Sequence, residues 1–152
     1  MKFLIQIADD ASVKIDNEVV GQIDSGFLVF IGVTNKDTKE IADKMLKKLI
    51  NLRIFPDENG KTNLSIKDVK KDLLLVSQFT LYADAKHGNR PSFINAGDPK
   101  KAEDMYNYIV DKAKNEVKKV ETGKFGADME VSLKNMGPFT IMLDSKELGF
   151  DE

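Results

Sequence analysis

The side chains best placed for chemistry belong to four residues that directly follow an apolar run: Ser77, Gln78, Phe79 and Thr80. The run at residues 73–76, Leu-Leu-Leu-Val, is typical of a strand buried on both faces. The residues after it should lie at the rim of the core, where a pocket can form. Alternatively, the serine and threonine end the strand by hydrogen bonding to backbone groups. The sequence alone leaves both interpretations open.

His87 is the only histidine, so a Ser–His–Asp triad would have to use it. It lies among Lys86, Gly88 and Asn89, a polar setting that favours a solvated loop residue over a general base. One histidine and no cysteine make a zinc site unexpected, and no glycine motif has the spacing that cradles phosphate. We therefore expect neither a metal nor an organic cofactor.

The dipeptide Gly137-Pro138 interrupts a second strand-like stretch. Residues 129–133 alternate apolar and polar, and residues 139–143 favour a strand again. Proline donates no hydrogen bond to a sheet and glycine is costly inside a strand, so the pair belongs at a turn, an edge or a special backbone site. Local reasoning favours a hairpin turn with a trans bond, since only about 5–6% of X–Pro bonds in folded proteins are cis.

Length and composition predict one globular domain over residues 1–152. The apolar share is 41% and the charged share is 32%, which argues against disorder. A formal net charge of −2 argues against a general polyanion binder but allows one nucleic-acid end to dock on a local basic surface. The absence of cysteine excludes a disulfide framework, and no apolar run could span a bilayer. We expect a cytoplasmic protein with no membrane partner.

The elements that must position these residues follow from periodicity and turn chemistry. Four short strands are predicted at residues 2–7, 11–15, 19–23 and 27–33, followed by a helix over residues 39–52. A buried strand at residues 72–76 precedes a long loop at residues 84–97 and a second helix over residues 99–118. Two last strands flank Gly137-Pro138. The pattern predicts a single-domain α+β fold with two main helices and a strongly curved or barrel-like, mainly antiparallel sheet.

Several motifs, in order along the chain, resemble the D-aminoacyl-tRNA deacylase family. They are Ser-Gln-Phe-Thr-Leu at residues 77–81, Gly-Asn-Arg-Pro-Ser-Phe at residues 88–93 and Asn-Met-Gly-Pro-Phe-Thr at residues 135–140. The stretch from Thr122 through Phe125 to Met129 also resembles the family. Each motif alone is weakly specific, but their common order and spacing over nearly the whole chain make the resemblance strong.

The resemblance implies a cytoplasmic homodimer that hydrolyses the ester joining a D-amino acid, or mischarged glycine, to the 3′-terminal adenosine of tRNA. It implies that the Gly137-Pro138 bond is cis and projects into the partner's active site. There its backbone carbonyls would hold the substrate amino group and leave no room for an L side chain. The implied catalytic residues are Gln78, Phe79 and Thr80, and the implied substrate-binding residues are Ser77, Phe125, Met129, Gly137 and Pro138.

Two catalytic schemes are compatible with this resemblance. In one, Thr80 is the nucleophile; in the other, the 2′-hydroxyl of the tRNA activates the reaction near the backbone of Phe79. An aminoacyl ester is already activated, so positioning and oxyanion stabilisation can hydrolyse it. Thr80 has no evident base, and an unassisted hydroxyl is a poor nucleophile. We therefore expect Thr80 to shape the pocket and Gln78 to bond ribose hydroxyls.

Three residues near the dipeptide depart from the family pattern. Ile7 replaces a usual arginine, Met136 a usual aspartate, and Lys134 a usual apolar residue. These changes motivate an alternative function, a non-catalytic RNA-end or protein-binding module that has kept the fold. A third hypothesis is a serine esterase that uses His87, which falls where the family often has a basic residue.

Overall fold

The computed structural model describes residues 1–151 and contains a five-stranded sheet, a two-stranded sheet and three α-helices. The strands are β1 (Lys2–Ile15), β2 (Glu18–Gly32), β3 (Phe55–Pro56), β4 (Thr62–Leu64), β5 (Asp72–Ser77), β6 (Val120–Thr122) and β7 (Glu130–Asp144). The helices are α1 (Lys39–Asn51), α2 (Ile66–Val69) and α3 (Pro99–Ala113), with a 3₁₀ helix at Phe79–Tyr82. The predicted α+β class with two main helices is confirmed.

The large sheet is open and mixed, in the order β6-β5-β2-β1-β7. The strand β1 pairs antiparallel with β2 and β7, whereas β5 pairs parallel with both β2 and β6. The prediction of a strongly curved or barrel-like sheet is therefore wrong, and the sheet is mixed where a mainly antiparallel one was predicted. The physical reason is the connection through α1 and α2, which returns the chain to the middle of β2, beside Gly26, and makes β5 a buried parallel strand.

The N-terminal segment is one long hairpin rather than four short strands. Positive φ at both Asp16 and Asn17 forms its two-residue turn. Turn chemistry in the sequence predicts further turns near residues 9–10 and 24–26, but both segments lie inside the strands, because β1 and β2 stay paired on both sides of them. Asp10, with φ 48°, marks an irregularity in β1. Gly26 lies where β5 passes so close that a Cβ would stand 1.8 Å from the Asp72 carbonyl oxygen.

A side chain caps the start of each main helix. The Thr38 hydroxyl accepts a hydrogen bond from the Ile41 amide at 3.2 Å, and the Asp98 carboxylate accepts one from the Lys101 amide at 3.3 Å. The first helix matches its predicted bounds to within one residue. The second ends five residues early, at Ala113, because the chain continues there in tight turns.

The helices cover one face of the large sheet and leave the other to a smaller cluster. Alternate residues of the central strands pack with α1 and α3 in the main core. The residues of the smaller cluster, on the opposite face, are Ala8, Ala11, Val13, Ile23, Leu28, Leu74 and Val76. Within residues 1–151, no helix is long and apolar enough to cross a membrane. The strand β5 contributes to both clusters, so its carboxyl end emerges from a rigid centre.

The last strand, β7, contains a bulge where the sequence suggested a hairpin turn. Gln6 pairs with Thr140 and Ala8 pairs with Asn135, so the single residue Ile7 faces the four residues 136–139. A bulge of this kind bends an edge strand outward without ending it. The two strands predicted around the dipeptide are therefore one strand with a protruding segment, which we call the β7 bulge (residues 136–139).

Candidate active site

A cavity of about 840 Å³ opens at the carboxyl end of β5. Its lining includes five predicted site residues, namely Ser77, Gln78, Phe79, Phe125 and Met129. Residues from the start of α3 and from the loop before it complete the wall. A volume in this range fits a small-molecule-sized group. The structure therefore brings together most of the residues that the resemblance implied.

The backbone turns sharply after β5 and presents this segment to the cavity. The Gln78 amide donates to the Ile31 carbonyl at 2.8 Å, which extends the sheet by one contact. The chain then enters the 3₁₀ helix, where the Leu81 amide donates to the Gln78 carbonyl at 3.3 Å. Anchoring at both ends fixes Phe79 and Thr80 at the cavity entrance.

An aromatic pair forms the mouth of the cavity. Phe79 and Phe93 meet edge to face with ring centroids 5.1 Å apart, and they are 54% and 38% exposed. Edge-to-face contact holds the two rings in place while leaving their faces open to a ligand. Phe93 belongs to the motif at residues 88–93, but the sequence does not predict it as a site residue, because nothing in the sequence shows that the loop folds back onto Phe79.

Two further predicted residues, Phe125 and Met129, form the opposite wall. Phe125 packs near Tyr106 of α3, with ring centroids 6.3 Å apart. Met129 lies against Gly123, where a Cβ would stand only 2.5 Å from the methionine sulfur. The absence of a side chain at Gly123 therefore gives Met129 its place at the cavity.

Thr80 lies beside the cavity and not in its wall. Its hydroxyl is hydrogen-bonded to the side-chain amide of Gln78. A carboxamide is not a base at neutral pH in either orientation, so this contact cannot activate the hydroxyl as a nucleophile. It does fix the Gln78 side chain.

His87 does not line the cavity and lies exposed in the loop after the 3₁₀ helix. The structure therefore assembles no Ser–His–Asp triad at the cavity. No group of three or more His, Cys, Asp or Glu side chains in residues 1–151 is arranged to hold a metal ion. The carboxylate of Asp98, which does line the cavity, caps α3.

Gly137 and Pro138 lie outside this chain's own cavity, in the β7 bulge. Their peptide bond is cis, and both residues are exposed. A Cβ added at Gly137 would meet no heavy atom within 4 Å. The bulge therefore stands free of its own chain at Gly137, whereas its last residue, Phe139, packs against the main core.

The Asn135 side chain closes the base of the β7 bulge. Its amide nitrogen donates to the Ile7 carbonyl at 3.2 Å and to the Phe139 carbonyl at 3.5 Å. Beside it, Lys134 pairs with Asp10 at 2.8 Å, and this contact raises the pKa of the lysine. Asn135 begins the motif at residues 135–140, but its bridging role depends on the pairing of β1 with β7, which the sequence does not reveal.

Comparison with known proteins identifies the family. Residues 4–144 match the model of the D-Tyr-tRNA(Tyr) deacylase family. D-aminoacyl-tRNA deacylase from Clostridium novyi (strain NT) is 48% identical over 97% of this chain and 99% of its own. The Aquifex aeolicus (strain VF5) protein of that name is 49% identical over 97% of this chain and 100% of its own.

Solved structures agree with the sequence relatives. The structure of a protein named c-Myc DNA Unwinding Element Binding Protein superimposes with a TM-score of 0.90 at 37% identity, covering 95% of this chain and 98% of that one. A probable eukaryotic D-amino acid tRNA deacylase has the same fold, with a TM-score of 0.79 at 17% identity. Together with the cavity at the end of β5, these similarities show that the chain belongs to the D-Tyr-tRNA(Tyr) deacylase family.

Proposed function

We propose that this chain hydrolyses the ester between a D-amino acid, or mischarged glycine, and the 3′-terminal adenosine of tRNA. The observation that carries the proposal is the cavity lined by Ser77, Gln78 and Phe79, in a chain nearly half identical to curated D-aminoacyl-tRNA deacylases. The reaction needs water, a positioned ester and donors for the developing oxyanion, so it requires no metal or organic cofactor. Its substrate places the enzyme in the cytoplasm.

The Phe79 backbone is the proposed oxyanion donor. Its amide precedes the first hydrogen-bonded turn of the 3₁₀ helix and donates to no backbone carbonyl within residues 1–151. An amide held at a cavity entrance by a rigid strand is pre-organised to stabilise charge on the reacting carbonyl oxygen. The Gln78 side chain, which also lines the cavity, serves the ribose hydroxyls.

The tRNA itself supplies the activating hydroxyl in this scheme. Thr80 has an amide as its side-chain partner, and no histidine lies at the cavity. The 2′-hydroxyl of the terminal ribose is adjacent to the ester, so it needs no recruitment from the protein. Thr80 then acts through Gln78 as a residue that shapes the pocket.

Chiral selection comes from the β7 bulge of a second copy of the chain. In support, Gly137 and Pro138 are exposed and lie outside their own cavity. The bulge belongs to an edge strand, which carries the exposed apolar side chains of Met136 and Met142. In a homodimer, the dipeptide would face the substrate amino group with backbone carbonyls and leave no space for an L side chain.

Deacylation of D-Tyr-tRNA and L-Tyr-tRNA by the purified protein tests this function. We expect rapid hydrolysis of the D-ester and of Gly-tRNA, with the L-ester left intact. Equal rates on both tyrosyl esters, or no hydrolysis of either, would reject the proposal. Sedimentation of the same preparation tests the homodimer, which predicts twice the mass of the 17.0 kDa chain.

A non-catalytic binding module is the second candidate. It is favoured by the departures at Ile7 and Met136 beside the bulge, and by a structural relative that is named for DNA binding. It predicts that the protein retains tRNA or another partner without turnover. A filter-binding assay run beside the deacylation assay separates the two, since D-selective turnover removes this candidate. If the protein is a serine esterase that uses His87, the His87→Ala variant should be inactive. Under our proposal, the same variant should hydrolyse the D-tyrosyl ester of free adenosine at the wild-type rate.

A further inference from the structure

The segment at residues 85–91, which we call the basic loop, concentrates positive charge on a chain that is acidic overall. It carries Lys86, His87 and Arg90, and residues 85–97 include no acidic residue, although the formal net charge of the chain is −2. All seven residues of the loop are exposed. None of its cations forms an ion pair within residues 1–151. This charge is therefore free to attract an anion.

The basic loop projects from the mouth of the cavity. Asp84 and Ser92 close it with two backbone hydrogen bonds, each 2.8 Å long. The next residue, Phe93, lines the cavity and contacts Phe79. Seven residues that leave and return to one closing pair reach at most about 14 Å from it. The cations Lys86 and Arg90, with His87 between them, therefore lie within a few nucleotide lengths of the cavity entrance.

Fold stability does not account for the composition of this loop. Its side chains are exposed, and a Cβ at Gly88 would meet no atom within 4 Å. The single carboxylate at its base, Asp84, accepts a hydrogen bond from the Lys86 amide at 2.9 Å, which shapes the turn. Solubility requires only polar side chains, so it does not explain why residues 85–91 carry two cations, a histidine and no acidic residue.

We propose that Lys86, His87 and Arg90 bind the phosphate backbone of the tRNA acceptor end while its terminal adenosine occupies the cavity. This inference rests on the proposed function and names the surface that reads the rest of the substrate. Phosphate contacts carry no sequence information, so the loop accepts tRNAs of different sequence. A basic surface limited to one loop also fits a protein that docks one nucleic-acid end and has no general affinity for polyanions.

The test compares a substrate with phosphates to one without them. The double variant Lys86→Ala/Arg90→Ala is assayed on D-Tyr-tRNA and on the D-tyrosyl ester of free adenosine. Two lost contacts lower kcat/KM on the tRNA by about 10- to 30-fold and leave the rate on the adenosine ester unchanged. The slope of log kcat/KM against log salt concentration becomes shallower by about 1.4–1.8. His87→Ala lowers kcat/KM on the tRNA alone by a smaller factor.

The matched control is Lys47→Ala/Lys48→Ala, which removes two exposed lysines from α1, neither of which lines the cavity. We expect it to keep the wild-type rate and salt slope on the tRNA. An unchanged salt slope in the Lys86→Ala/Arg90→Ala variant, or an equal loss of rate on both substrates, would refute phosphate binding by the basic loop. Neither result would contradict the deacylase function. If the wild-type protein hydrolyses D-Tyr-tRNA but not the adenosine ester, the salt slopes on the tRNA test the proposal. A shallower slope in the loop variant than in the control supports it, and equal slopes refute it. Wild-type protein that hydrolyses neither substrate rejects the proposed function itself.

Discussion

Replacing Asn135 by alanine should loosen chiral selection without unfolding the protein. The side-chain amide of Asn135 is the tie across the base of the β7 bulge, at 3.2 Å from the Ile7 carbonyl and 3.5 Å from the Phe139 carbonyl. The first distance is that of a full hydrogen bond and the second is at the outer limit. One net hydrogen bond contributes about 1 kcal/mol, so the variant should weaken closure of the bulge by about that amount.

A change of about 1 kcal/mol is roughly a fivefold change in an equilibrium constant. The ratio of D-Tyr-tRNA to L-Tyr-tRNA hydrolysis should therefore fall roughly fivefold in Asn135→Ala, chiefly because the L-ester is hydrolysed faster. Because the contact is local and partly exposed, the midpoint of thermal unfolding should fall by no more than about 2–4 °C. Single-turnover rates on the two esters, with a thermal melt of the same preparation, measure both quantities.

Lys134→Ala is the matched control, since it changes the adjacent residue on the same strand. Its ion pair with Asp10 joins side chains that are 71% and 64% exposed, so it contributes little. We expect the D-to-L ratio of this variant to stay within about twofold of wild type, because water screens an ion pair that is this exposed. A wild-type D-to-L ratio in Asn135→Ala, or an equal fall of this ratio in both variants, would show that the Asn135 side chain does not fix the β7 bulge for chiral selection.

Other substitutions test the remaining steps. Thr80→Ala should keep activity within about tenfold, whereas loss of a true nucleophile costs about 10⁴-fold or more; a folded but inactive variant would restore the nucleophile scheme. Gly137→Ala should leave the melting temperature unchanged, because a Cβ there meets nothing within 4 Å, yet slow D-ester hydrolysis if the dipeptide faces a partner's substrate; a lower melting temperature would contradict the free-standing bulge. Gly26→Ala should destabilise the fold by about 3 kcal/mol, since its Cβ would stand 1.8 Å from a carbonyl oxygen of β5, and urea unfolding measures this. Tyr106→Phe removes a buried 2.7 Å hydrogen bond to the Leu75 carbonyl and should cost about 1 kcal/mol. Burial raises the pKa of Tyr106 to about 12, so its contribution is complete below pH 10 and is lost as pH rises through 12, a loss that the phenylalanine variant should lack.

Local sequence signals predicted the elements that carry strong periodicity. The helix α1 and the buried strand β5 were predicted to within one residue, because amphipathic spacing and an unbroken apolar run are strong signals. The short elements β3, β4, α2 and β6 were not predicted, since two to four residues carry no period. Acidic residues in the N-terminal hairpin predict turns that the structure lacks, because the same residue types occur in turns and in irregular strands.

The candidate site follows from the resemblance more than from local chemistry. Polar residues after β5 indicated a pocket, and the cavity contains Ser77, Gln78 and Phe79. The place of Phe93 at its mouth could not be predicted, because it depends on how a loop returns across fourteen residues. The tie made by Asn135 depends likewise on the offset between β1 and β7, which is a property of strand pairing and not of either sequence.

The unequal pairing of β1 and β7 has a consequence for how this protein can evolve. Strand register is intact on both sides of the β7 bulge, so its exposed residues 136–138 can change without shifting any neighbouring pair. Proteins diverge most readily at positions where a substitution does not lower folding stability below the level that function requires. Met136, which departs from the family pattern, occupies such a position. Under the proposed role of the β7 bulge in chiral selection, lineages that share this scaffold can drift in how strictly they exclude L-amino acids, while the sheet beneath stays the same.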